Sequence, residues 1–124
     1  MMTKYINKTI QKKAWNFEKQ LSKQKWEKLV ETLEASKLEI KEHDTNVNAM
    51  MIGVKGIDDM DIEVYQNTTR GDGVFATINL WYHPHYTGGD DKRYPKSVFD
   101  AIDYINNFAD AIKRYDDSRK RRNK

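Results

Sequence analysis

The clearest pattern in the chain lies in residues 74–82, where apolar positions alternate with a second set of positions that is partly aromatic and partly polar. One set is apolar throughout, which predicts a β-strand with one face in the core. The other set is half aromatic and half polar, so either a helix covers that face or a partner binds it. The core face carries Val74, Ala76, Ile78, Leu80 and Tyr82, and the second face carries Phe75, Thr77, Asn79 and Trp81.

Three shorter segments before this strand also have strand patterns. Residues 38–42 and 60–65 alternate, whereas residues 49–54 form a mostly apolar run. The connections between the four segments are short and contain Asn, Asp and Gly, as turns require. We therefore predict a four-stranded antiparallel meander. The outward positions of its third strand are Asp61, Glu63 and Tyr65.

Residues 4–35 contain no Gly or Pro and predict helix. Their two apolar stripes point roughly 160° apart around one helix axis, which leaves two interpretations open. We favour a break near Ser22, which caps a second helix and lets both stripes face one core. Otherwise one long helix buries its halves against different neighbours, such as the mate in a homodimer. The stripes are Ile6, Ile10, Ala14, Phe17 and Leu21, then Trp26, Leu29, Val30 and Leu33.

A C-terminal amphipathic helix begins after Pro95, with Ser97 as its N-cap and Asp100 three residues on. The tail 119–124 has no apolar residue to bury, so we expect a basic disordered tail after a single domain of residues 1–118. The predicted fold is α+β, with the helices packed on the sheet. Three apolar helical stripes are more than one sheet face of four short strands can cover. We therefore expect helices to cover part of the second face as well, and Trp81 to lie in the core. The last stripe is Val98, Ala101, Ile102, Ile105, Phe108, Ala109 and Ile112.

The net charge of +3 is distributed unevenly along the chain. Residues 1–37 carry nine lysines and four glutamates, whereas residues 38–66 carry two lysines and seven acids. Residues 95–124 are basic again, with eight bases and five acids. Fields of one sign attract partners of the other. The alternative is that the basic helix and the acidic sheet neutralise each other within the fold.

Several classes of protein are disfavoured by composition. The chain has no cysteine, so a disulfide framework and a thiolate metal site are excluded. It has no apolar run of the roughly 18 residues needed to span a membrane, and its N-terminus lacks the apolar core of a signal peptide. No nucleophile motif or phosphate-binding loop is present. We expect a cytoplasmic protein that has no cofactor and is not an enzyme.

One loop carries residue types that could bind a metal ion. His83, His85, Asp90 and Asp91 are competent ligands for zinc, but their spacing is loose, and an exposed polar turn is the favoured interpretation. Asp61 and Glu63 share a strand face, where a solvated acidic surface is favoured over a nuclease-type metal site.

In composition the chain resembles small proteins of phages and mobile elements, which are short, charge-polarised and rich in Lys and Asn; no motif is shared. The resemblance implies a binder or inhibitor of a host complex, such as CRISPR or restriction machinery, acting in the host cytoplasm. Our main hypothesis is therefore a non-enzymatic protein that docks on a nucleic-acid-handling complex by charge complementarity. The alternatives are a direct DNA- or RNA-binding module and a metal-dependent enzyme. The candidate partner-binding residues are Lys8, Lys12, Lys19, Lys23, Asp61, Glu63, Tyr65, Tyr86, Arg119, Lys120, Arg121 and Arg122.

Overall fold

The computed structural model describes residues 5–9, 11, 22–67, 72–82 and 91–122. Within this part of the chain an antiparallel sheet has the strand order β1-β2-β3-β4-β5, which confirms the α+β class and the meander. Neither described helix is both long and apolar enough to cross a membrane. The elements are α1 (Ser22–Glu34), β1 (Glu39–Asp44), β2 (Ala49–Gly53), β3 (Met60–Gln66), β4 (Ala76–Tyr82), β5 (Asp91–Arg93) and α2 (Val98–Arg122).

The fifth strand is the element that the sequence pattern did not predict. Strand β5 pairs with β4 through Asp91, Lys92 and Arg93, and all three side chains are exposed. A strand of three charged residues has no apolar periodicity, so only its backbone pairing with β4 identifies it. Asp91, considered above as a metal ligand, is one of these exposed positions.

One face of the sheet forms the hydrophobic core. The inward residues of β2, β3 and β4 are almost completely buried, as are the apolar stripe of α2 and three residues of α1, namely Trp26, Leu29 and Leu33. The two helices also contact each other, so their stripes share one core instead of requiring both sheet faces. Each such aliphatic side chain contributes about 1.5–3 kcal/mol when buried, so this core determines where the helices lie. The sheet residues are Met50, Ile52, Met60, Ile62, Val64, Ala76, Ile78 and Leu80.

The predicted start of the C-terminal helix is confirmed. The backbone N–H of Asp100 donates to Oγ of Ser97 at 3.0 Å, and α2 begins at the next residue, Val98. A side-chain acceptor at this position satisfies a backbone donor that the helix itself leaves unpaired. All seven residues of the predicted stripe are buried.

The described N-terminal segment contacts α2 through buried amides, those of Asn106 and Gln11. Asn106 is 3% exposed, and its Oδ1 accepts a hydrogen bond from the backbone N–H of Ile6 at 3.0 Å. Asn7 then caps a helical turn, because its Oδ1 accepts from the N–H of Thr9. Residues 12–21 lie outside the described residues. Whether the first helical region is one helix or two therefore stays a prediction.

The prediction of a disordered tail from residue 119 is wrong as far as Arg122, because α2 continues to that residue. The guanidinium of Arg119 donates to both carboxylate oxygens of Asp59, at 2.6 and 2.7 Å, and to Asp116 at 2.8 Å. Bidentate pairing of this kind is geometrically specific. The helix end is therefore held by polar contacts, which a search for apolar residues does not detect.

We expect Asn106→Ala to lower the free energy of unfolding by about 1–3 kcal/mol, because the buried N–H of Ile6 loses its acceptor. Equilibrium unfolding in urea measures the change. The matched control is Asn107→Ala, at the exposed neighbouring position of the same helix, which should stay within about 0.5 kcal/mol of the wild type. Equal losses in the two variants would contradict the role of Asn106.

The pKa of Asp116 is held below its ordinary value, first by a hydrogen bond from Lys120 and then by one from Arg119. Such a carboxylate stabilises the fold at pH values above its unfolded pKa of about 4, and the stabilisation is lost as pH falls through the lower folded pKa. We therefore expect Asp116→Asn to be less stable at neutral pH and to lose less stability below about pH 4. Urea unfolding over an acid pH series checks this, with Asp58→Asn as an exposed control. A steeper acid loss in Asp116→Asn would refute it.

Candidate functional site

The face of the sheet opposite the core, called here the second sheet face, carries one row of side chains across all five strands, and four of the five are polar. In register, Glu42 lies opposite Met51, Met51 opposite Glu63, Glu63 opposite Asn79, and Asn79 opposite Lys92. The row is therefore polar except at Met51 on β2. The exposed ends of the row are Glu42 on β1 and Lys92 on β5.

Asp61 is not the solvated carboxylate that the alternation suggested, because it is only 7% exposed. The ammonium of Lys41 donates to Asp61 and also to the carbonyl oxygen of Ile57, at 3.1 Å from the latter. A β-bulge between Ile40 and Glu42 interrupts the register of β1 at Lys41. The pair is thus an internal contact of the second sheet face.

Gly53 makes room for this ion pair. A Cβ atom at position 53 would lie 3.0 Å from Cε of Lys41 and 3.3 Å from Oδ1 of Asp61. These approaches are tight, so the lysine stem would have to move. The absence of a side chain at Gly53 therefore lets Lys41 cross β2 and reach Asp61 on β3.

Glu63 organises the centre of the second sheet face. Its Oε1 accepts hydrogen bonds from the indole N–H of Trp81 at 3.1 Å and from the amide of Asn79 at 3.3 Å. Trp81 is therefore half-buried with a polar contact, and the expectation that it lies in the core is wrong. Phe75, by contrast, lies just before β4, is fully buried and belongs to the core. Tyr65 is half-buried on the same face as Glu63.

The turn between β1 and β2 has a defined shape. Oδ1 of Asp44 accepts from the N–H of Asn46 at 2.9 Å, and Asn48 adopts a left-handed backbone with φ of 51°. Asn tolerates this conformation better than most residues. The Asn48 amide also donates to Gln66 at 2.7 Å, which ties the turn to the end of β3.

Next to this turn is an open cavity of about 640 Å³, called here the hairpin cavity. Val47, Ala49 and Met51 supply apolar lining, and Val47 is 66% exposed. The carboxylates that line it are Glu42, Asp44 and Glu63. Within the described part of the chain, neither Glu42 nor Asp44 forms an ion pair. The cavity thus combines apolar lining with carboxylates.

The structure describes only part of the predicted basic set. Lys8 and Lys23 are exposed, whereas Lys12 and Lys19 lie outside the described residues. At the end of α2, Arg121 and Arg122 are exposed.

Two other bases at the end of α2 are paired. Nζ of Lys120 lies 3.0 Å from Oδ2 of Asp116, and Arg119 is bound by both Asp59 and Asp116. These two aspartates raise the pKa of Arg119 above its usual value. Two of the four bases in residues 119–122 are therefore paired with carboxylates of the same chain.

Most of the loop considered as a metal site lies outside the described residues. This applies to His83, His85 and Asp90, and also to Tyr86, which was a candidate partner contact. Across residues 5–9, 11, 22–67, 72–82 and 91–122, no group of three His, Cys, Asp or Glu side chains is arranged to hold a metal ion.

The sequence interpretation missed five of the residues on which the hairpin cavity is built: Glu42, Asp44, Val47, Ala49 and Met51. The excess of acid in residues 38–66 was a signal for the carboxylates, but it did not indicate which of them meet. Apolar residues in a turn and on the outer side of a strand carry no such signal, because single exposed apolar side chains are common.

Comparison with protein-family models, with curated proteins and with solved structures finds no match to this chain. Functional interpretation therefore depends on the geometry and charge of the residues described above.

We expect Lys41→Met to lower the free energy of unfolding by about 1–3 kcal/mol, because the carboxylate of Asp61 loses its cation while the site stays nearly closed to water. The control is Lys55→Met, at an exposed turn position, with an expected change within about 0.5 kcal/mol. The double variant Lys41→Met, Asp61→Asn should recover part of the loss. Urea unfolding of the four proteins checks this, and wild-type stability of Lys41→Met would count against it.

Proposed function

We propose that this protein is a small non-enzymatic binding protein that docks on a nucleic-acid-handling complex and inhibits it. The docking surface is the acidic hairpin surface, defined as the hairpin cavity with its carboxylates Glu42, Asp44 and Glu63. The observation that carries the proposal is the combination of apolar lining and carboxylates in one open cavity.

Shape and composition support binding at this surface. The cavity volume of about 640 Å³ falls within the range of roughly 300–1,000 Å³ that is typical of binding clefts. Val47 is two-thirds exposed, which leaves an apolar group ready to be covered by a partner. Protein interfaces combine such apolar contacts with a polar rim.

The distribution of ion pairs supports a basic partner. Three prominent cations, Lys41, Arg119 and Lys120, are occupied by carboxylates of the same chain. Glu42 and Asp44, by contrast, are exposed and form no ion pair within the described residues. Carboxylates that are free of internal cations attract a basic surface and speed its association.

A nucleic-acid-handling protein is the class of partner that this chemistry favours. Proteins that bind nucleic acid present Lys and Arg to phosphate groups, so their binding surfaces carry dense positive charge. An acidic surface with an apolar centre competes for such a groove by offering carboxylates in place of phosphates. Inhibition follows if the nucleic acid and this protein need the same cations.

Direct binding to DNA or RNA is the alternative function. Arg121 and Arg122 favour it, because they are exposed at the end of α2. Arg119 and Lys120 weaken it, since phosphate groups would have to compete with Asp59 and Asp116 for these side chains.

The two functions make opposite predictions for model ligands. We expect the protein to bind a fluorescent oligo-arginine peptide more tightly than a short DNA duplex or a single-stranded RNA, with binding that weakens as salt rises. Replacing Glu42, Asp44 and Glu63 by their amides should weaken peptide binding by about tenfold, as expected if each carboxylate contributes about half a kcal/mol. Fluorescence anisotropy measures all three ligands.

The matched control removes three exposed carboxylates outside the hairpin cavity, in Asp58→Asn, Asp91→Asn and Asp100→Asn, and so changes the net charge equally. It should retain most of the peptide affinity. Equal losses in the two triple variants would contradict docking at the hairpin, and tight DNA binding without peptide binding would favour the alternative function.

A further inference from the structure

We infer that the hairpin cavity is an anchor site for a long basic side chain, lysine or arginine, supplied by a basic segment of the partner protein. The inference depends on the proposed function, because it assumes a basic partner at the acidic hairpin surface. It adds the chemical reason for specificity: the cavity selects a cation that is carried on an apolar stem.

The lining of the cavity has the two parts that such a side chain needs. Val47, Ala49 and Met51 offer carbon surface that can cover the methylene groups of a stem. Glu42 and Asp44 are exposed and can accept hydrogen bonds from an ammonium or guanidinium group. Lysine and arginine bury their stems on apolar surface while the charged end stays with water or a carboxylate.

Glu63 supplies a carboxylate whose position in the hairpin cavity is set by its own hydrogen bonds. Its Oε1 already accepts from Trp81 and Asn79, so the carboxylate is held in place before a partner arrives. A carboxylate that is positioned beforehand loses little side-chain entropy on binding. Met51, which lies opposite Glu63 in the sheet, is flexible and can adapt to a stem.

Insertion of side chains is favoured over addition of a partner strand to the edge of β1. The bulge between Ile40 and Glu42 interrupts the regular pairing of this strand, and its side chains include the charged Glu39 and Lys41. Bulges and charges are the devices by which edge strands resist pairing with other chains.

A second copy of this chain is a weaker occupant than a partner protein. Its exposed bases include Lys8, Lys23, Arg121 and Arg122, none of which lines the hairpin cavity, so they would join a different surface to the hairpin. Such a contact is heterologous and does not close into a two-fold dimer.

The test compares two peptides that have the same length and charge. One is oligo-lysine and the other is oligo-2,4-diaminobutyrate, in which each side chain is two methylene groups shorter. We expect the lysine peptide to bind the wild-type protein about tenfold more tightly, because one inserted stem buries two additional methylene groups. Val47→Ser should reduce this ratio toward one. Tyr94→Ser, at an exposed aromatic residue outside the cavity, should leave it unchanged.

The outcomes separate this inference from the function it depends on. If both peptides bind equally and Val47→Ser has no effect, the anchor site is refuted, while charge-driven docking stands. If neither peptide binds the folded protein, the proposed function fails as well. Self-association in sedimentation that is abolished by the amide variants of Glu42, Asp44 and Glu63 would assign the site to a second copy and overturn the partner segment.

Discussion

The fold depends on a single constraint, which is that one apolar face of the sheet has to bury the stripes of two helices. The inward side chains of β2, β3 and β4 are almost fully buried together with Leu29 and Ile105, which lie on the two helices. The helices meet this constraint by contacting each other, and α2 also contacts β3 and β4. Because the core is built on one side, the opposite side of the strands is left for polar residues, and the candidate site is formed there.

Polar residues on the second sheet face are held by their own neighbours. Lys41 reaches Asp61 across the backbone of Gly53, and Glu63 holds Trp81. A buried charge that has a partner avoids most of the cost of leaving water. These contacts hold the polar side chains at the centre of the face, whereas Glu42 and Asp44 are exposed at its edge, beside the β1–β2 turn.

At the end of α2, basic side chains form ion pairs with carboxylates of the same chain. Arg119 connects the helix end to Asp59 in the link before β3. Hydrogen bonds from Lys120, and then from Arg119, lower the pKa of the Asp116 carboxyl. Part of the basic C-terminal segment is therefore paired with carboxylates of the same chain, whereas neutralisation of the acidic sheet by the basic helix stays a prediction. The other interpretation, in which charge serves a partner, is the basis of the proposed docking at the hairpin.

The sequence by itself determined the elements whose side chains alternate or repeat: four strands, the apolar stripe of α2 and its cap at Ser97. Burial of apolar surface produces these patterns, so they can be detected locally. Only the tertiary structure decided the rest. Strand β5 is defined by its backbone pairing with β4. Residues 119–122 are helical with contacts such as that of Arg119 with the distant Asp59. The hairpin cavity is formed by residues that the strand register brings together. These features join residues that are far apart along the chain, and polar contacts of that kind leave no period in the sequence.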